Sequence, residues 1–300
     1  MHISGGGGGG GSRMLPPKQL LTIVIVVFSS LSFIKLLLLT GSPSVVSSPR
    51  NRAWDAAAAG VNGTDRIALA AKELALLRSL VAARSPCRLL VFGLSPQLLA
   101  LAKLNSGSGD GSGTAATAFI TDSADDADAA RGVLGGGGRH KASGAASVGI
   151  HRARYRDAAA DAWPLLRRAR GSPACGRATG TVRKSGCPLA LTSLPREVLD
   201  ARWDVVVVNG PSGAAPEEPG RMGTIYTAAA LARASAAAAG AASAVDVAVH
   251  DVDRTVERWY AWEYLCDDNL VAAKGRLWHF RVGAGGLPDA FCNTGPVQIL

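Results

Sequence analysis

Short apolar runs that each stop at glycine, proline or a polar cluster set the framework of this chain. The clearest is Val205 to Val208, four consecutive valines that end at Asn209-Gly210-Pro211. An unbroken β-branched run suits a strand buried on both faces, hence a parallel sheet covered by helices. Cys87 to Leu94 (CRLLVFGL), Thr117 to Ile120 and Val245 to Val249 (VDVAV) repeat the pattern, and Arg276 to Val282 (RLWHFRV) alternates as a late strand. Helical spacing marks Asp65 to Ala83, Ser95 to about Asn105, a helix beginning near Asp125, Arg221 to about Ala237 and Thr255 to about Tyr264. Tyr155, Trp163 and Leu165-Leu166 suggest one further strand-helix unit before Lys184. Strand and helix alternate throughout, which predicts a three-layer α/β fold on a mostly parallel sheet.

The first part of the chain obeys a different pattern. Residues 1–19 hold a glycine tract and read as a disordered cytosolic tail. Residues 20–39, LLTIVIVVFSSLSFIKLLLL, are long enough to cross a bilayer and are interrupted only by Lys35. Arg13 and Lys18 precede this segment, and no small-residue cleavage motif follows closely, so it is expected to be an uncleaved transmembrane signal anchor. Residues 40–64 form a stem rich in Ser, Pro and Ala, with an N-glycosylation sequon at Asn62-Gly63-Thr64. Residues 65–293 are then one lumenal domain, with 294–300 a tail.

A formal charge of +9 favours an acidic partner such as a polyanionic glycan, a nucleotide-type ligand or an anionic membrane face. Nucleic acid is not expected, because the basic segments lack interleaved aromatics. The five cysteines, Cys87, Cys175, Cys187, Cys266 and Cys292, show no zinc spacing. In a secretory lumen they allow up to two disulfides with one thiol left over; otherwise they remain buried and reduced.

Ligands of open α/β sheets bind beyond the carboxyl ends of the strands, so the loops after Gly93, Asn209 and Val249 define the expected crevice. Gly93 with Ser95 and Pro96 makes a strand, a glycine turn and a helix start, where a cofactor or anion is commonly held. Asp122, just past the next strand, is positioned to accept from ribose hydroxyls, or simply to cap a turn. His250, Asp251 and Asp253 could supply a base and a carboxylate pair for a divalent metal or substrate hydroxyls, with helix capping as the plainer role. Asp251-Val252-Asp253 also fits the D-x-D pattern of nucleotide-sugar glycosyltransferases. Arg221, unfavourable to the dipole of the helix it begins, could face an anionic group. Its plainer partner is Glu217 or Glu218.

Several segments together resemble the DUF579 family of plant cell-wall proteins: LVFGL (Leu90 to Leu94), LPREVLDARWDVVVVNGPSG (Leu194 to Gly213), PGRMGTIYTAAALAR (Pro219 to Arg233), VHDVDRTVE (Val249 to Glu257), YLC (Tyr264 to Cys266) and GRLWHF (Gly275 to Phe280). That family includes glucuronoxylan 4-O-methyltransferases, arabinogalactan glucuronate methyltransferases and irregular-xylem-15 type proteins. The resemblance implies a single-pass type II Golgi membrane protein with a lumenal Rossmann-like S-adenosylmethionine methyltransferase fold. It further implies S-adenosylmethionine at Gly93, Ser95 and Asp122, catalysis at Asp251, His250 and Asn209, and substrate contacts from Arg221, Asp253 and Arg254. Asp251 and Asp253 are the residues for a metal, if one is needed. The implied partners are glucuronoxylan or a related acidic cell-wall polysaccharide and other xylan-synthesis proteins. Three departures stand out. Ser95 replaces the last glycine of FGLG, the acidic pair after the next strand is reduced to Thr121-Asp122, and Asn209 stands where the family shows a carboxylate. The serine turn leans toward the irregular-xylem-15 branch, a non-catalytic assembly alternative, whereas GRLWHF leans toward the methyltransferases.

Overall fold

The computed structural model describes residues 68–106, 115–135, 147–177, 181–240, 242–284 and 290–292. The expected tail, signal anchor and stem lie outside the described residues. Among the described residues no helix is long and apolar enough to cross a membrane.

The elements in chain order are α1 (Ala71–Arg84), β1 (Arg88–Phe92), α2 (Pro96–Asn105), β2 (Ala116–Thr121), α3 (Ala124–Gly135), β3 (Ser147–Arg152), α4 (Ala162–Arg170), α5 (Pro173–Gly176), α6 (Arg196–Leu199), β4 (Val205–Val208), α7 (Met222–Ala239), β5 (Ala244–His250), α8 (Thr255–Leu265), β6 (Leu270–Lys274) and β7 (Leu277–Gly283). The seven strands form one sheet in the order β3-β2-β1-β4-β5-β7-β6. β3, β2, β1, β4 and β5 run parallel, and β7 is antiparallel to both β5 and β6. The chain leaves β1 toward one edge and returns to β4 on its other side. This makes the β1/β4 boundary the topological switch point, where the crevice of a doubly wound sheet opens.

The valine run shows why the sheet is central. Val205 to Val208 are all fully buried, in register with Leu89 to Phe92 on one side and Asp246 to Val249 on the other. Side chains alternate across the sheet. Val205 and Val207 join Leu89, Val91, Leu77 and Leu101 under α1 and α2, whereas Val206 and Val208 join Leu90, Phe92, Ile225 and Leu231 under α7 and its neighbours. Each fully buried valine contributes about 1.5–3 kcal/mol. The alanine-rich α7 is buried along most of its length, and small residues let it lie tight against the chain. A Cβ on Gly223 would come 3.0 Å from the Leu189 carbonyl oxygen.

Two strands depart from the expected pattern. The unit expected around Tyr155 has its strand earlier, at Ser147–Arg152, an edge strand interrupted by Gly149 whose residues are exposed or half-buried. β6 has no counterpart in the sequence pattern, because an exposed edge strand buries too little to leave an apolar run. Two disulfides are present, Cys175–Cys187 and Cys266–Cys292, and Cys87 is the buried free thiol.

Candidate functional site

Loops from β1, β4 and β5 reach the same edge of the sheet. At the switch point the first two touch. Gly93 has φ +110°, and a Cβ there would lie 2.9 Å from the backbone carbon and oxygen of Asn209; one on Gly210 would lie 2.7 Å from the Gly93 Cα. Both glycines are needed for this backbone contact at the switch point. The Gly93 amide donates to the Ile120 carbonyl and the Asn209 amide to the Phe92 carbonyl, each at 2.8 Å, so the loops are extensions of the ladder. Ser95 Oγ accepts from the Leu98 amide at 3.3 Å and caps α2, with Pro96 at the first helical position. Asp122 is half-buried just beyond β2. The cap of α3 is the neighbouring Ser123, whose Oγ accepts from the Asp126 amide. Asn209 Oδ1 is buried and has no hydrogen-bond partner among the described residues.

The β5 end is organised by Asp251, which is 1% exposed and has a left-handed backbone at φ 63°. Its Oδ2 lies 2.8 Å from Arg221 Nη2 and 3.0 Å from Arg254 Nη2. Its Oδ1 accepts from Arg276 Nη1 at 2.8 Å and faces His250 Nδ1 at 3.2 Å, without the angle of a hydrogen bond. Three guanidinium groups therefore occupy the carboxylate expected to act as a base. The same enclosure separates the expected metal pair, since Asp253 is exposed while Asp251 is buried. Among the described residues, no group of three or more His, Cys, Asp or Glu side chains is arranged to hold a metal ion.

Arg221, expected at a substrate carboxylate, is 1% exposed and bound to protein on every side. Its Nε donates to the Pro211 carbonyl at 2.7 Å and its Nη1 to the His250 carbonyl at 2.8 Å, while Nη2 reaches Asn209 O at 3.4 Å as well as Asp251. It clamps the β4 loop to the end of β5, and its partner is Asp251 rather than Glu217 or Glu218. This resolves its placement at the start of α7, where a cation opposes the helix dipole. His250 is fully buried, and Nε2 sits 3.1 Å from Glu73 Oε2. Burial, reinforced by Arg221 and Arg276 and opposed by Asp251 and Glu73, holds its imidazole below the ordinary pKa. Arg254 is half-buried and donates from Nη1 to the Ser212 carbonyl at 2.7 Å, a further tie on the β4 loop.

Three members of this edge escaped the sequence reading. Glu73 caps α1 by accepting from the Ala70 amide and also accepts from the Arg276 amide, each at 2.7 Å. Burial would raise its pKa, but these amides and His250 outweigh that and hold it below the ordinary value. A glutamate at the third position of a helix is a capping signal, but the usual serine or threonine partner is alanine here. Arg276 follows Gly275, which has φ +61° and where a Cβ would come 2.4 Å from Glu73 Oε1. The third is Glu257, buried beneath the β4 loop, with Arg254 Nη1 3.6 Å from Oε1 and the Gly213 Cβ position 3.4 Å away. Burial raises the pKa of this carboxyl, partly offset by Arg221 and Arg254.

The stretch holding all these residues, 72–280, matches the family described as IRX15/IRX15L/GXM. The chain belongs to the IRX15/IRX15L/GXM family. Arabinogalactan O-methyltransferase 2 of Arabidopsis thaliana is 36% identical over 213 residues, covering 70% of this chain and 66% of that protein. Glucuronoxylan 4-O-methyltransferase 1 of the same plant is 32% identical over 209 residues, with the same two coverages of 70% and 66%. The chain thus spans just under two thirds of the length of both relatives. Protein IRREGULAR XYLEM 15, also of Arabidopsis thaliana, is 46% identical over 96 residues, covering 32% of this chain and 29% of that protein. Within the IRX15/IRX15L/GXM family, then, this chain is similar both to proteins named for methyl transfer and to one that is not.

Proposed function

We propose that this protein is an S-adenosylmethionine-dependent methyltransferase of cell-wall glycans, acting on O4 of glucuronate side residues of xylan or a related acidic polysaccharide. One atom supports cofactor binding most strongly. Asn209 Oδ1 is a buried acceptor without a partner among the described residues, at the switch point of the seven-stranded sheet. Leaving such an atom unpaired costs about 1–3 kcal/mol, which a donor from a bound ligand would recover. Gly93, Ser95 and Asp122 border the same edge and are the residues that would hold the cofactor. When bound, S-adenosylmethionine supplies an electrophilic methyl group. The chain's own part is to hold the acceptor hydroxyl in line and to take its proton.

For the proton we favour Glu257. Asp251 is held by three guanidinium groups, and Glu73 by two amides and His250, whereas Glu257 has a raised pKa and its nearest guanidinium nitrogen at 3.6 Å. Asp251, His250 and Arg221 then act as the frame that holds the β4 and β5 loops together.

The two disulfides support a lumenal domain, because such bonds persist in oxidising compartments. With the apolar segment at 20–39 they favour a single-pass type II Golgi protein. A second reading, a non-catalytic xylan assembly factor like the irregular-xylem-15 proteins, is favoured by Ser95 and by the missing carboxylate at Asn209. Calorimetric titration of the full-length protein with S-adenosylmethionine separates the two. Saturable binding is expected, and no heat at millimolar ligand would overturn the enzymatic reading.

A further inference from the structure

The segment joining β3 to α4 crosses the crevice edge. The Ala153 amide donates to the Thr121 carbonyl at 2.9 Å, extending the β2–β3 pairing. Farther along, Ala158 bridges Pro219, the Ala159 and Ala160 amides donate to Glu218 and Pro216, and the Gly220 amide donates to Asp157. The chain therefore runs from the end of β2 to the loop after β4, past the end of β1 that lies between them. Burial along it alternates: Arg152, Arg154 and Arg156 are exposed, while Ala153 is buried and Tyr155 half-buried. Alternation of this kind puts the three arginines on the side of the segment away from the core; positions two apart in an extended strand lie about 6.5 Å apart. Arg168 of α4 is exposed and, like Arg156, lies within electrostatic range of the half-buried Asp157 carboxyl. Among the described residues, none of these four arginines has a carboxylate partner within 4 Å, in contrast to Arg84, Arg170, Arg221, Arg254 and Arg276.

We propose that Arg152, Arg154 and Arg156, continued by Arg168, form a track that binds a polysaccharide through several of its carboxylates, outside the position where one sugar reacts. Guanidinium groups pair with carboxylates in a bidentate fashion, and three at regular spacing gain by holding one polymer at several points. Nucleic acid is disfavoured because no exposed aromatic is interleaved for bases to stack on; the Tyr155 ring packs against the core. A membrane surface is disfavoured because, among the described residues, the exposed large hydrophobic ones, Val133 on α3 and Val271 on β6, lie outside this segment and α4. The inference rests on the acidic-glycan reading above, but not on methyl transfer.

The test is binding of full-length protein to immobilised glucuronoxylan, without S-adenosylmethionine, at low and high salt. Carboxyl-reduced glucuronoxylan and single-stranded RNA of equal charge serve as competitors. Replacing Arg152, Arg154 and Arg156 together by Gln should weaken polymer binding about ten-fold or more at low salt with an unchanged melting temperature. The corresponding triple Lys variant should retain most of it. Free glucuronic acid and the carboxyl-reduced polymer should compete poorly. Wild-type affinity in the Gln variant, or tighter binding of RNA than of glucuronoxylan, would overturn the track. Polymer binding by a protein that transfers no methyl group would overturn the enzymatic reading and leave the track standing.

Discussion

Arg221 and Asp251 form an ion pair at 2.8 Å with both side chains almost completely buried, and through it the loop after β4 is tied to the end of β5. A cation that reads from sequence as a substrate ligand and an acid that reads as a base are each other's partners. Removing one member of a buried pair strands the other charge, at a cost of about 3–5 kcal/mol. Asp251→Asn is therefore expected to lower the urea midpoint sharply, with activity lost in proportion to folded protein. A folded variant of wild-type stability and no activity would return Asp251 to a catalytic role.

Glu257→Gln should behave in the opposite way. The amide keeps the volume and removes the proton acceptor, so kcat is expected to fall about 10²–10⁴-fold while the melting temperature changes little. Rapid-quench measurement of methyl transfer checks this, and near-normal turnover would remove Glu257 as the base.

At Asn209 the expectation separates stability from binding. Asn209→Ala removes an acceptor that has no protein partner, so stability should remain within about 1 kcal/mol of wild type. Affinity for S-adenosylmethionine should drop about ten-fold or more, measured by calorimetry. Gly93→Ala, by contrast, forces a Cβ within 2.9 Å of the Asn209 backbone at φ +110° and should cost about 2–4 kcal/mol in chemical denaturation.

Acid should weaken the fold through His250. Its folded pKa lies below the ordinary 6.5, so the unfolded chain takes up a proton near that pH which the folded chain refuses. The stability it contributes is complete above 6.5 and is lost as pH falls toward the folded value. Glu73, also held low, adds a loss at still lower pH. Glu257 opposes both, because a raised pKa gives stability that is present below 4.5 and lost as pH rises. Melting temperatures measured from about pH 7.5 down to about pH 5.5 should fall for wild type and fall less steeply for His250→Gln.

Much of the fold was legible in the residues. The valines of β4, the LLVF of β1 and the VDVAV of β5 are buried on both faces, and complete burial leaves an apolar run that needs no context. Edge strands leave no such run, so β3 with Gly149 and β6 with its exposed positions were misplaced or missed. The site was legible as a set of loops but not as contacts. His250, Asp251 and Arg221 do converge, yet what decides their chemistry is Arg276 and Glu73, brought from 25 and 177–178 residues away by the β7 pairing and the α1 cap. No local pattern encodes partners at such separations.

The disulfides can be read chemically. Cys175–Cys187 and Cys266–Cys292 close loops of 12 and 26 residues, each expected to contribute about 3 kcal/mol, so reduction should lower the melting temperature markedly. Cys87, whose thiol burial pushes up to about 12, should resist alkylation until the chain unfolds. Non-reducing peptide mapping would show these two pairs; any other pairing would contradict the described packing.

The most direct measurement is methyl transfer itself. Full-length protein is incubated with methyl-labelled S-adenosylmethionine and glucuronoxylan or arabinogalactan, and the released sugars are analysed by NMR. Label is expected on O4 of glucuronate, abolished by prior reduction of the acceptor's carboxylates and by Glu257→Gln. Absence of label from folded protein that binds both ligands would contradict the enzymatic reading and leave the assembly-factor reading in its place.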